Sequence, residues 1–402
     1  MYLAVKGAEQ KNPQHRESLA QAAMLTPTSG FFFTSPFRSL STQGCFAKIA
    51  QPAVDGEDLQ GQFQQTIQQA FAQARAAGIK SPILCGALPF DTRQPSALFI
   101  PEKTQWFKRE AFMAGMEPDA GVLPEIVHQV ELPEQQQFIQ MVTEAVQATA
   151  GEQLDKVVLS RLLEIETREP IDCQALMACI IAQNPNSFHF HVPLEQGSLV
   201  GASPELLLRK SGNQFHSNPL AGSAPRENDP LRDRQASQRL LASNKDRYEH
   251  QIVTEGMHQV LAKRCSHLHI PASPELLSTT TLWHLSTPID GEVADPAENA
   301  LSLACLLHPT PALCGTPTLT ARDLIKQLEP FDRGLFGGIV GWCDSEGNGE
   351  WVVTIRCGTV NANQVRLFAG AGIVKDSSPQ SEWLETGTKL STILRAFGLN
   401  QG

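Results

Sequence analysis

Short apolar runs joined by turn-forming residues dominate the C-terminal part of this sequence. Three of them span residues 337–342, 350–356 and 364–369, and residues 344–349 and 361–363 link them. The links are rich in Asn, Gly, Asp or Ser, which favour tight turns between consecutive antiparallel strands. The pattern therefore predicts an antiparallel meander near the C-terminus.

Hydrophobic periodicity predicts further helices and strands along the chain. Helical patterns cover residues 63–74, 138–146, 172–183 and 230–264, and a last helix begins near Ser378 with Pro379 in its first turn. Strand-like runs cover residues 31–33, 45–49, 82–88, 97–100, 156–165, 187–192, 198–202 and 214–220. We expect one large α+β domain over residues 29–402, preceded by an arm over residues 1–28 that is poorly ordered or weakly helical.

The charge balance narrows the class of partner. The 402 residues include 32 Lys and Arg against 42 Asp and Glu, which gives a net charge of −10. Proteins that bind by neutralising phosphate backbones carry clustered basic residues in excess, so we expect no nucleic-acid partner. No run approaches the roughly 18 apolar residues of a membrane helix, and the first thirty residues lack a signal-peptide pattern. We therefore expect a cytoplasmic protein that does not associate with membranes.

Several other motifs carry less information. The nine cysteines are scattered without a Cys-x-x-Cys pair, so we interpret them as small buried side chains. His189 and His191, like His267 and His269, form a His-x-His pair without a third ligand, which favours partly exposed strand residues over a metal site. Residues 370–372 lack the third glycine of a dinucleotide loop, but their small side chains let backbone N–H groups approach an anion.

Three charged residues stand in apolar surroundings. Lys156 opens an apolar strand and shares a face with Val158, so it is either a base whose pKa desolvation lowers or a strand-end lysine that reaches water. Glu205 precedes a buried run and is either an acid with a raised pKa or an exposed turn carboxylate. Glu249 lies on the apolar stripe of its helix, where a carboxylate needs a cation or a hydrogen-bond donor.

Two further features concern charge near the C-terminus. Glu385 and Lys389 are one helical turn apart, a spacing that by itself favours an ordinary salt bridge. Arg356 ends a predicted strand on the face of Val352 and Thr354, and its planar guanidinium suits a carboxylate ligand.

A set of longer motifs runs through the chain. They are FFFTSPFR (31–38), KVVLSR (156–161), GASPE (201–205), PLAGSA (219–224), KDR (245–247), LWHL (282–285), LLHPTPA (306–312), FGGIVGW (336–342), VTIR (353–356) and FAGAG (368–372). Together they resemble the chorismate-utilising enzymes, the family of isochorismate, anthranilate, aminodeoxychorismate and salicylate synthases. The resemblance covers about residues 31–399 and is strongest to isochorismate synthases of catecholate siderophore biosynthesis. It implies a single domain of antiparallel β-sheets that enclose the active site, with helices packed outside.

The resemblance also implies a role for each site residue. Lys156 would be the general base that activates water for attack at C2 of chorismate, and Glu205 the general acid that protonates the departing C4 hydroxyl. Glu249 and Glu385 would hold Mg²⁺, which in turn binds the ring carboxylate. The residues lining the substrate would be Gly222, Ser223, His284, Ala312, Leu313, Arg356, Gly370 and Lys389.

Positions that separate the members of the family favour attack by water. Aminodeoxychorismate synthases have a nucleophilic lysine where this chain has Ala221, and anthranilate synthases usually have glutamine where it has Lys156. Salicylate synthases, which also eliminate pyruvate, differ around Ala312, Leu313 and Phe336, where the apolar residues here look like those of isochorismate synthases.

The resemblance therefore implies a Mg²⁺-dependent isochorismate synthase. We expect a monomer whose product passes to a downstream isochorismatase in 2,3-dihydroxybenzoate and siderophore synthesis. A salicylate synthase and a chorismate-binding protein without turnover remain the alternatives.

Overall fold

The computed structural model describes residues 30–114 and 123–397, and the arm predicted over residues 1–28 lies outside them. The first eleven strands are β1 Phe32–Thr34, β2 Ser39–Gln43, β3 Ala47–Ile49, β4 Ile83–Leu88, β5 Ala97–Ile100, β6 Lys103–Phe107, β7 Ile126–Leu132, β8 Lys156–Thr167, β9 Phe188–Pro193, β10 Ser198–Ser203 and β11 Leu206–Ser211. The others are β12 Gln214–Asn218, β13 Leu220–Pro225, β14 Cys265–His269, β15 Glu275–Ser278, β16 Leu282–Ser286, β17 Ile289–Val293, β18 Gly315–Thr316, β19 Ile339–Asp344, β20 Gly349–Val353, β21 Cys357–Asn361 and β22 Gln364–Ile373. The helices are α1 Gln62–Ala76, α2 Arg109–Ala114, α3 Gln135–Thr149, α4 Cys173–Gln183, α5 Pro230–Ala242, α6 Asn244–Leu261, α7 Ala300–Leu307, α8 Thr318–Leu328 and α9 Pro379–Leu394.

The strands form two large antiparallel sheets and one small one. The ten-stranded sheet has the order β18-β8-β22-β21-β10-β9-β1-β2-β6, with β7 also paired to β8. The nine-stranded sheet has the order β14-β17-β12-β11-β20-β19-β4-β5-β3, and β13, β16 and β15 form the third sheet. Consecutive hairpins therefore account for much of the pairing, as the turn-rich links predict.

The two large sheets pack face to face, and helices cover their outer faces. Phe33 and Phe190 of the ten-stranded sheet share one apolar cluster with Val340 and Trp342 of the nine-stranded sheet. Helices α1, α6 and α7 contribute to the cluster on the outer side of the nine-stranded sheet, and α4 and α9 to one on the ten-stranded sheet. Helices α3 and α8 pack around the start of β8. The predicted α+β class, antiparallel sheets with helices outside, is confirmed.

The three-strand meander predicted near the C-terminus is wrong. Strands β19 and β20 form a hairpin in the nine-stranded sheet, whereas β21 and β22 form a hairpin in the ten-stranded sheet. The chain crosses between the sheets after Val353, and Arg356 in the crossover has a left-handed backbone with φ of 49°. Turn residues determine where hairpins form, but they do not determine which sheet each hairpin joins.

The helix predicted over residues 230–264 is two helices, α5 and α6. Ser243 between them has an extended backbone, and its hydroxyl accepts a hydrogen bond from the Asp246 N–H at 3.3 Å. A serine at this position caps a new helix, because it satisfies a backbone donor that has no partner within the first turn. Glu249 keeps its predicted inward position and is 6% exposed.

Two expectations about exposure are also corrected. His189 and His191 are buried rather than partly exposed, because β9 lies inside its sheet and α4 covers it. The His189 ring lies between the Thr34 hydroxyl and the Asn184 carbonyl, so its polar atoms are satisfied without a metal. The nine cysteines are all free, but Cys45 is exposed, and Cys173, Cys179 and Cys265 are only partly buried.

Candidate active site

Two neighbouring crossovers between the large sheets carry Glu205 and Arg356, which both line one cavity. Glu205 lies between β10 of the ten-stranded sheet and β11 of the nine-stranded sheet, and Arg356 lies between β20 and β21. The crossovers are hydrogen-bonded to each other: the Val353 N–H donates to the Glu205 carbonyl at 3.2 Å, and the Ala202 N–H donates to the Arg356 carbonyl at 3.0 Å. Glu205 is therefore buried, as one of its two interpretations required, and not an exposed turn residue.

Strand β8 places Lys156 beside the same cavity. Lys156 is fully buried, and its side chain shares the predicted face with Val158, which lines the cavity together with residues of β22 and of the three-stranded sheet. Its ammonium lies 3.0 Å from a Glu249 carboxylate oxygen. Opposite Val158 on β22 stands Gly372, where a Cβ atom would lie 2.0 Å from the Glu249 carboxylate. Glycine at 372 thus leaves the space that the Glu249 carboxylate occupies.

Acidic and basic side chains alternate along the contact between α6 and α9. Lys245 lies 3.7 Å from Glu249 and 3.2 Å from Glu382, and Lys389 lies 2.6 Å from Glu385. Glu249 and Glu385 repel each other, and the lysines offset that repulsion. The predicted salt bridge between Glu385 and Lys389 is therefore present, but it is part of this larger cluster.

These side chains surround one small cavity. The predicted site residues among those that line it are Glu205, Gly222, Ser223, Glu249, His284, Ala312, Leu313, Arg356, Gly370, Glu385 and Lys389. Lys156 lies behind this surface, in contact with Glu249. Sequence reasoning missed the roles of Lys245 and Glu382, although each could have been found by helical spacing, four residues before Glu249 and three before Glu385.

Burial sets the protonation of the groups that face the cavity. Burial raises the pKa of Glu205 to about 7. The hydrogen bond from the Leu220 N–H and the positive charges of Lys156 and Arg356 act in the opposite direction, but burial has the larger effect. Burial lowers the pKa of Arg356 to about 10, so its guanidinium remains charged at neutral pH. Burial acts to raise the pKa of Glu249, but Lys156 and Lys245 hold it below its usual value. The site therefore combines a carboxyl that is protonated near neutrality with a carboxylate that is not.

Polar atoms complete the wall of the cavity. The Lys389 ammonium donates to the Gly370 carbonyl at 2.8 Å. Gly222 has φ of +79°, a left-handed conformation that an L side chain rarely adopts. Burial lowers the pKa of His284 well below its usual value, and its Nε2 is buried without a hydrogen-bond partner in residues 30–114 and 123–397. A neutral imidazole with one unused nitrogen is suited to a ligand hydroxyl.

Known proteins resemble this chain in sequence and in fold. Residues 102–398 match the family model described as chorismate binding enzyme. The chain belongs to the chorismate-binding enzyme family. Its relatives include isochorismate synthase EntC of Escherichia coli, 56% identical over 96% of this chain and 98% of that protein, and isochorismate synthase DhbC of Bacillus subtilis, 40% identical over 92% and 94%. The crystal structure of DhbC from Bacillus anthracis superposes with a TM-score of 0.86 at 37% identity, covering 96% of this chain and all of that one.

The family resemblance and the family's single-domain fold of antiparallel sheets are thus confirmed. The roles predicted for individual residues remain predictions, because the comparisons concern whole chains. None of the helices in the described ranges has the length and apolar character needed to traverse a bilayer.

The pair Glu249 and Glu385 fits a magnesium ion. Mg²⁺ binds through one or two carboxylates and keeps other positions for water and substrate oxygens. Both carboxylates line the cavity, and both have pKa values below the usual range despite burial, so both are ionised. The described part of the chain has no group of three or more His, Cys, Asp or Glu side chains that could hold a metal ion. Two carboxylates that face a cavity would suit an open site that shares its ion with a substrate.

Proposed function

We propose that this chain is an isochorismate synthase that interconverts chorismate and isochorismate with Mg²⁺ as cofactor. The observation that carries the proposal is that a buried carboxyl, Glu205, whose pKa is raised to about 7, lines the cavity, while a buried lysine, Lys156, lies directly behind Glu249 of the cavity wall. Addition of water at C2 with loss of the C4 hydroxyl needs one group that accepts a proton and one that donates a proton. The identities of 56% and 40% to two isochorismate synthases support the same activity.

Glu205 acts as the acid in this proposal. Its neutral carboxyl gives a proton to the C4 oxygen, which leaves as water while the ring double bond shifts. The Leu220 N–H, 3.4 Å from Oε1, then stabilises the carboxylate that remains. Lys156 must be in its neutral amine form to take the proton of the water that attacks C2. It then returns that proton to solvent while Glu205 regains one, so the net reaction consumes no proton.

Cationic side chains hold the substrate's carboxylates. Arg356 is charged and 9% exposed, so its guanidinium offers paired N–H donors in a desolvated cavity. Lys389 is fixed by Glu385 and by the Gly370 carbonyl, which leaves its remaining donor for a ligand. Ala312 and Leu313 add apolar surface to the wall of the cavity. The substrate is thereby oriented relative to Glu205.

Glu249 and Glu385 hold the metal ion in the proposal. Bound there, Mg²⁺ would supply positive charge that offsets the repulsion between these carboxylates and an anionic substrate.

We expect Glu249→Gln to raise the dissociation constant of Mg²⁺, measured by calorimetry without substrate, at least about tenfold. Glu298→Gln is the matched control, because Glu298 is 3% exposed and paired with Arg264 away from the cavity. An unchanged magnesium titration in Glu249→Gln would remove Glu249 from the site.

A direct assay tests the function. We expect purified protein with Mg²⁺ to convert chorismate to isochorismate, and isochorismate back to chorismate, with no release of pyruvate. Chromatography of the two isomers and a coupled pyruvate assay measure both outcomes. Rapid formation of pyruvate and salicylate would instead identify a salicylate synthase, and tight binding without turnover would identify a binding protein.

The relatives also indicate the pathway. DhbC of Bacillus subtilis and the vibriobactin-specific isochorismate synthase of Vibrio cholerae are 40% and 42% identical to this chain. We infer that the product here likewise enters 2,3-dihydroxybenzoate and catecholate siderophore synthesis through a downstream isochorismatase. The cytoplasmic location and the monomeric state stay predictions.

A further inference from the structure

Strand β8 has a gap along one of its edges beside the proposed active site. Strand β22 pairs with one edge of β8 from Val157 to Glu166. On the other edge, β18 pairs with Lys156 and Val157, and β7 pairs from Leu162 onward. Between these two partners, residues 158–161 have no neighbouring strand on this edge among the described elements, although the Val158 N–H donates to the Cys314 carbonyl at 2.9 Å. Backbone groups in a buried strand need hydrogen-bond partners, so something other than a strand must supply them.

Two buried side chains fill the gap. The Glu329 carboxylate accepts from the Ser160 N–H at 2.7 Å, and Arg333 Nη2 donates to the Val158 carbonyl at 2.7 Å. One acceptor and one donor therefore bind alternate residues of β8, which is how the next strand of a sheet would bind them. Glu329 and Arg333 are 8% and 4% exposed. Neither of them lines the cavity.

Arg333 also binds the segment that forms the apolar wall of the cavity. Its Nη1 donates to the Leu313 carbonyl at 2.8 Å, and its Nε donates to Glu329 at 2.8 Å. The guanidinium packs against the Phe90 ring with 4.4 Å between Cζ and the ring centroid. One rigid guanidinium thus joins Leu313 to Val158, and both of these residues line the cavity.

We propose that Glu329 and Arg333 are positioning residues for the reaction, which fix β8 and the Leu313 wall relative to each other. The proposal rests on the function proposed above, because Lys156 lies on β8 two residues before Val158. A shift of about 1 Å at a reacting group lowers rates by as much as about 10²-fold, even when the mutation is remote from the chemistry. Without the Arg333 guanidinium, β8 with Lys156 and the segment with Leu313 could move independently of each other.

The test is Arg333→Lys compared with Arg264→Lys. A lysine keeps the charge but cannot donate in three fixed directions. Arg264 is the matched control, since it forms an equally short ion pair, 2.5 Å, with the buried Glu298 and does not line the cavity. We expect Arg333→Lys to lower kcat for chorismate by about 10- to 100-fold with KM changed less than about threefold. Arg264→Lys should leave both constants unchanged.

A second readout does not depend on catalysis. Hydrogen–deuterium exchange of the peptide that contains residues 156–161 should accelerate in Arg333→Lys and stay unchanged in Arg264→Lys.

If Arg333→Lys does not fold, Glu329→Gln provides the same test, because it keeps the shape and one acceptor oxygen. Equal kcat values in the wild type and the Arg333 or Glu329 variant would overturn the proposal. Faster exchange across the whole chain would do so as well, since it would indicate a general loss of stability. Failure of the wild type to turn over chorismate would instead count against the function itself.

Discussion

We expect Lys156→Gln to lower kcat for the conversion of chorismate to isochorismate by about 10²- to 10⁴-fold, the range typical of a lost general base. Lys156 is fully buried, and among the described residues its ammonium is the closest cation to Glu249, at 3.0 Å. Glutamine has a similar length but does not accept a proton at neutral pH. Chorismate binding, measured by calorimetry, should change by only a few-fold, because Arg356 and Lys389 remain in place.

Stability is the main competing explanation for such a loss. Glu249 keeps a second cation, Lys245, at 3.7 Å, so the Lys156 substitution does not leave this buried carboxylate without a partner. Lys210→Gln is the matched control: Lys210 is 2% exposed on β11, and its ammonium donates to the Gly212 carbonyl at 2.6 Å, outside the cavity. Lys210→Gln should retain wild-type kcat. A near-normal rate in Lys156→Gln would mean that another group is the base.

The sequence predicts the face on which Lys156 lies because strands alternate with a period of two. Lys156 and Val158 share one side of β8, and that side faces the cavity. Helical periodicity places Glu249 inward for a similar reason. Both predictions need only local spacing, so a single sequence is sufficient for them.

The sequence does not predict how distant segments meet. The strand that was predicted to end at Arg356 stops at Val353, and the chain then crosses to the other sheet. Glu205 lies in a second crossover, and the hydrogen bonds between the two crossovers depend on the pairing of both sheets. Glu329 lies 169 positions after Ser160 in the chain, and Arg333 lies four positions after Glu329. No local pattern predicts which backbone groups such a pair will satisfy.

Protonation of Glu205 should determine the alkaline limit of activity. A general acid works only in its protonated form, and burial raises the pKa of this carboxyl from the usual 4.5 to about 7. The sign follows from that direction: titration of Glu205 should leave kcat/KM unaffected below about pH 7 and lower it about tenfold per pH unit above it. An exposed glutamate in the same role would lose activity already above about pH 4.3.

Glu205→Gln tests the assignment, because the amide has the same shape but donates no proton to a leaving hydroxyl. We expect kcat to fall by about 10²- to 10⁴-fold and the residual rate to lose its dependence on pH near 7. Burial also raises the pKa of Glu350 to about 7, and Glu350 lies on β20 outside the cavity. Glu350→Gln should therefore retain the wild-type pH profile. A limb near pH 7 that persists in Glu205→Gln would assign the titration to another group, such as Glu382, whose pKa burial and Glu385 raise to about 7.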